Sequence, residues 1–213
     1  AIGLALLLTY SRGSMFGLVV ALGLLGLVRH RRIIWLLLAG LVLVLVLPMT
    51  REYVQHFIEG LQGQDLATQM RFGEYKDALL LISRYPWFGV GFTGVPDVDI
   101  YLGVSSVYLL IAEEMGLVGV SAFLFTLLVF FAYVWPRAQA VRESDPHLEA
   151  LMLGTLTGVA AGMVAGVLDH YLFNPAFPHA ATFLWLVVAL GVTAAMEAER
   201  TRTGNEAIRP PLT

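Results

Sequence analysis

From Ser105 to Trp135 the chain runs for 31 residues with only two charged side chains, Glu113 and Glu114, both near the start of the run. About 20 mainly apolar residues make a transmembrane helix, so this stretch is longer than one crossing requires. Four further runs share its character: Ser14–Val28, Ile33–Pro48, Leu148–Leu168 and Ala180–Met196, with a remnant at Ala1–Tyr10. Together they raise the composition to 58% hydrophobic and 14% charged residues, against roughly 45–50% and 25% in soluble domains. The expected fold is all-α, a polytopic transmembrane helical bundle. The two shortest full runs reach across with help from snorkelling arginines between them. The long run has turns to spare, which project from the membrane or tilt. Because Ala1 already lies inside an apolar run, the chain reads as the C-terminal part of a longer polytopic protein.

The placement of Lys and Arg sets the expected orientation. Arg29, Arg31 and Arg32 lie between two runs, Arg137 and Arg142 follow the long one, and Arg200, Arg202 and Arg209 lie in the tail. These are eight of the 13 basic residues. The loop Asp169–His179 carries none. Alternating the spans puts all three arginine-bearing segments on one face, which is assigned to the cytoplasm of a multi-pass inner-membrane protein. The expected organisation is transmembrane helices over 1–48, an outer loop over 49–104, further transmembrane helices over 105–199 and a cytoplasmic tail over 200–213. External loops of this length usually carry function. Short helices are expected in it at Arg51–Leu61 and Leu66–Ser83, the second through apolar Leu66, Met70, Leu79 and Ile82. Pro86–Pro96, with Gly89, Gly91 and Gly94 between aromatics, suits a tight re-entry loop at the membrane interface. A net charge of −3 excludes nucleic-acid binding through a broad basic surface. The absence of cysteine excludes disulfides, thiolate metal sites and cysteine nucleophiles. There is no phosphate-loop or dinucleotide motif; a membrane enzyme on the outer face has no nucleotide sugar to use in any case, so its donor would be lipid-linked. No internal repeat supports a transporter built from duplicated halves.

Several polar residues have both a functional and a structural reading. Arg12, in TYSRGSMFG, is either a snorkelling end residue or an anion site beside the amides of a helix starting at Ser14. Arg71 is either an ion-paired helix residue or a second anion ligand; Lys76 and Arg84 read as surface charge. Glu113 and Glu114 are either a water-facing pair at helix entry or functional charges near the membrane. Asp169, His170 and His179 bracket an aromatic loop that is either an interfacial anchor or an acid–base site. Without a ligand spacing pattern, a metal reading of this loop is weak.

The ordered set TYSRGSMFGLVVALG, R…ALLLISRYPWFGVGF and YLLIAEEMGLVG resembles the O-antigen ligase/polymerase family over about Leu6–Gly119. Members usually show SRG at the end of one span and an Arg ahead of a P-x-x-G-x-G loop. HN-x-Y-L then precedes E-x-G-x-x-G. The resemblance implies a membrane glycosyltransferase. It would move a glycan from undecaprenyl pyrophosphate to a glycan, lipid or protein acceptor, among membrane lipids and without a metal or other cofactor. It also implies that Arg12 and Arg71 hold the donor pyrophosphate, and that Tyr108, Glu114, Gly116 and Gly119 fill motif positions, with Tyr108 and Glu114 on the substrate side. One departure stands out: the family's His-Asn pair falls on Ser105 and Ser106. Another group must then take the acceptor's proton, and Asp97, Asp99, Glu113, His170 and His179 are candidates. His170 beside Asp169 is the first choice and His179 the second. The alternative is a non-catalytic component that binds or transports lipid-linked glycan.

Overall fold

The computed structural model describes residues 12–47, 66–92 and 104–208. The expected helix at Arg51–Leu61, the end of the glycine loop, Asp97, Asp99 and Arg209 lie outside the described residues. Among the described residues there are six helices: α1 (Arg12–Val28), α2 (Arg31–Val46), α3 (Leu66–Arg84), α4 (Val107–Ala140), α5 (Pro146–Leu168) and α6 (Pro178–Ile208). Among the described residues three segments are long and apolar enough to cross a membrane: α4, α5 and α6 as far as Arg202. The fold is an all-helical membrane bundle. Its outward surface fits a lipid solvent, since Trp35 and Leu36 of α2 are each 71% exposed and α2 buries no residue. A patch of that size in water marks an interface or a membrane contact.

Helix α5 is the centre, packed against α1, α4 and α6. Its start is encoded locally: the Asp145 carboxylate accepts from the backbone N–H of His147 and Leu148, at 3.1 and 3.0 Å, and Pro146 occupies the first turn. One face of α5 meets α1 through small residues. A Cβ at Gly17 would stand 3.0 Å from the Ala161 carbonyl oxygen, and one at Gly13 3.5 Å from that of Ala165. This close backbone approach is how helices associate where no hydrophobic drive separates lipid from protein. The other side of α5 joins Leu127, Phe130 and Val134 of α4 and Leu184, Ala194 and Ala195 of α6 in the main core.

The long run does not form one straight helix. At Gly116 the backbone takes φ 69° and ψ −171°, so α4 consists of a short segment, 107–115, and a longer one beyond it. The first turns of the run are set off by a break in the backbone. Helix α1 opens at Arg12, two residues before the expected Ser14. Helix α3 forms where expected, but the face it buries is different. Ala78 and Leu81 are fully buried and Ile82 is half-buried, while Leu66, Met70 and Leu79 are exposed. Ala78 packs with Val104 and Leu110, flanked by Tyr75, Leu109 and Phe173. The small Ala78 lets α3 lie close to the start of α4, and Leu66, Met70, Phe72, Leu79 and Leu80 face outward.

Arg29, Arg137 and Arg142 gather at one end of the bundle. Glu149, buried in the first turn of α5, lies 3.3 Å from Arg29 and 4.0 Å from Arg142. Arg137 pairs with Glu199 and lies over the Tyr133 ring, 3.6 Å from its centre. The loop Asp169–His179 and the start of α4 lie at the other end.

Candidate functional site

At the end away from Arg29, Arg137 and Arg142, α3, the start of α4 and the exit of α5 meet. Arg71, Glu74 and Tyr75 are three and four residues apart on α3, the spacing that shares one helix face. The Glu74 Oε2 oxygen accepts from both the N–H and the hydroxyl of Ser105, at 3.0 and 2.7 Å. The Tyr75 hydroxyl, lying between α4 and α5, donates to the Ser105 and Val167 carbonyls, each at 3.4 Å. Burial pushes the Tyr75 phenol above its usual range, with Arg71 acting in the opposite direction. The Val107 N–H donates to the Asp169 carbonyl at 3.1 Å. The α5–α6 loop is thereby fastened to the Ser105 corner.

A second arrangement lies next along α4. In an unbroken helix, Leu117 and Val118 would donate to the carbonyls of Glu113 and Glu114. The turn at Gly116 opens both bonds, and the loop after α3 fills the gap. Val90 and Gly91 donate to the Glu113 and Glu114 carbonyls at 2.8 and 2.9 Å. Leu117 and Val118 donate to the Pro86 and Trp87 carbonyls at 2.7 and 3.3 Å. All four backbone groups freed by the break are satisfied again. The two segments touch through glycine: a Cβ at Gly89 would lie 2.3 Å from the Glu113 carbonyl oxygen, and one at Gly116 2.3 Å from the Trp87 carbonyl. Both have positive φ, 66° and 69°, which only glycine adopts without strain. The part of the glycine loop that is described is thus spliced into α4.

The expected site residues divide accordingly. Arg71 lies on the face of α3 that carries Glu74. Arg12 begins α1, but its side chain lies outside what is described. Glu113 and Glu114 are buried, at 1% and 8% exposure, so the water-facing reading of this pair is overturned; their main chain carries the splice. The Tyr108 hydroxyl donates to the Met163 carbonyl at 2.7 Å and is engaged inside the bundle. His170 reaches the corner beside Asp169, yet its Nδ1 is 4.0 Å from Asp169 Oδ1. That oxygen accepts instead from the backbone N–H of His170 at 2.7 Å. The His170 ring rests against Tyr171 and Phe177, with centroids 5.1 and 6.1 Å away. His179 is exposed and meets only the edge of Phe177 among described aromatic pairs. Glu74 is the residue that sequence reasoning missed. Its signal was its spacing three residues from Arg71, which reads equally well as an ordinary ion pair.

A family model described as O-antigen ligase matches residues 1–124, which take in Arg12, Arg71, the spliced loop and the broken start of α4. The chain belongs to the O-antigen ligase family. No curated protein matches it. Membership of the O-antigen ligase family carries a membrane glycan-transfer role, and the matched residues end within α4, shortly after the splice. Asp169, His170 and His179 lie beyond the part of the chain that the O-antigen ligase model covers.

Proposed function

We propose that this protein transfers a glycan from undecaprenyl pyrophosphate to an acceptor hydroxyl on the outer face of the inner membrane, the face away from the arginine cluster. The observation that carries the reading is the family match over residues 1–124; within it, the loop after α3 and the start of α4 are bonded to each other. In this reading the pyrophosphate rests on Arg71, with Arg12 as its second ligand. A guanidinium there neutralises the leaving group as its charge develops. The acceptor, whether glycan, lipid or protein, approaches the Ser105 corner. Two titratable groups brought there can take its proton, His170 and Glu74.

The test is transfer in native membranes, read as release of polyprenyl pyrophosphate from radiolabelled lipid-linked glycan. Arg71→Ala and Arg12→Ala should each lose at least about a hundredfold, and the double variant should be little worse than either, because both act on one anion. Arg71→Lys should recover only part, since charge remains while the two-pronged fork is lost. Arg84→Ala should stay near wild type. Normal transfer in Arg71→Ala would remove the pyrophosphate assignment. Ser105 and Ser106 in place of His-Asn favour a second reading, a component that binds or transports lipid-linked glycan. It predicts arginine-dependent donor binding with no turnover in the wild type.

A further inference from the structure

Resting on the transferase reading, we propose that Glu74, acting through Ser105, is the proton acceptor that replaces the family's histidine. A serine alone is too weak a base at neutral pH. Ser105 is not alone: its hydroxyl already donates to Glu74 Oε2 at 2.7 Å, and its N–H donates to the same oxygen at 3.0 Å. The two bonds fix the serine side chain, so the oxygen's lone pairs face away from the carboxylate. A proton taken on that oxygen is matched by one passed to Glu74, and the net base is the carboxylate.

The surroundings hold this pair in place. The Tyr75 hydroxyl donates to the Ser105 carbonyl, and Ala78, Val104 and Leu110 are packed at the α3–α4 contact. Arg71 lies one turn before Glu74, roughly 5–6 Å away between Cβ atoms at that spacing. Leaving-group ligand and base therefore share one face of α3. His170 is less well arranged for the role. Its Nδ1 is buried without a hydrogen-bond partner, and the neighbouring Asp169 oxygen is taken by backbone. The titratable or charged groups at this corner, among the described residues, include Arg71, Glu74, Tyr75, Asp169, His170 and Tyr171, whose ring rests against His170.

The step balances without a cofactor. The acceptor oxygen uses a lone pair to form a bond to the anomeric carbon. The bond from that carbon to the pyrophosphate oxygen breaks, and its electron pair leaves with the pyrophosphate toward Arg71. The hydroxyl proton moves to Ser105 Oγ as the serine proton moves to Glu74, which later releases it to water.

The experiment uses native membranes carrying Glu74→Gln, Glu74→Ala, Ser105→Ala and His170→Ala. Two readouts are taken: release of polyprenyl pyrophosphate, and labelling by a photoreactive polyprenyl pyrophosphate probe. Glu74→Gln keeps an oxygen for the Ser105 hydrogen bonds and cannot take a proton. Its transfer should fall about 10²- to 10⁴-fold, the range for losing a general base, with labelling unchanged. Ser105→Ala should fall in the same way. Added formate should restore Glu74→Ala at least about tenfold, a rescue that only a missing proton acceptor explains. Transfer within threefold of wild type in Glu74→Gln overturns the proposal. So does loss of probe labelling in that variant, which would mark a structural role, or formate-insensitive Glu74→Ala with transfer abolished in His170→Ala. If the wild type itself binds the probe and releases nothing, the transferase reading fails and the proposal falls with it.

Discussion

At the residue scale, the glycines around the splice differ in what surrounds them, and this orders their substitutions. A Cβ at Gly116 or Gly89 enters backbone at 2.3 Å, and both residues have positive φ. Gly116→Ala and Gly89→Ala should each lose about 3 kcal/mol or more of stability. Gly91 has φ 81° but open space, so Gly91→Ala should lose only the backbone strain, about 1–2 kcal/mol. Gly73 lies within α3 with nothing near its missing Cβ, and alanine there should gain up to about 1 kcal/mol from helix propensity. Thermal unfolding in detergent checks the order. Equal midpoints for Gly116→Ala and Gly73→Ala would contradict the interlock.

At the element scale, α1 and α5 depend on small residues at their crossing. Gly17→Leu should separate them and abolish the folded yield, because the Ala161 carbonyl leaves no room for a side chain. Gly23→Leu, with nothing within 4 Å of its Cβ position, should fold normally. Size-exclusion profiles of the two variants make the comparison. Elements of this kind were legible in the sequence because uninterrupted apolar length is a one-dimensional property. The positions of α4, α5 and α6 followed from it. The buried face of α3 was not legible. Periodicity selected Leu66, Met70 and Leu79, but the outer side of a membrane protein can be as apolar as its core. The break at Gly116 was hidden for another reason. A glycine in an apolar run is commonplace, and only the loop lying against it shows why this one is left-handed. The Glu74–Ser105 bond joins residues 31 apart, a pairing that no local pattern announces.

At the scale of the whole molecule, two ends of opposite character organise the bundle. Glu149 lies between Arg29 and Arg142, linking the α1–α2 and α4–α5 turns, while the Ser105 corner is far along the helices. Since the chain has no cysteine, single cysteines report orientation cleanly. Ala176→Cys should label with an impermeant reagent from outside intact cells, and Glu143→Cys should label only after lysis. The reverse would place the Ser105 corner on the cytoplasmic side and end the outer-face reading. Glu149→Ala removes the carboxylate shared by two arginines that are themselves part-exposed and stay solvated, and should lower stability by about 1–3 kcal/mol. Lower melting of that variant than of Glu143→Ala, an exposed neighbour, is the measurement.

The splice also fixes a length. Pro86 and Trp87 accept from one side of the break at Gly116, while Val90 and Gly91 donate to the other. The six residues from Pro86 to Gly91 must therefore keep their count, because one residue more or fewer would strand two of the four bonded backbone groups.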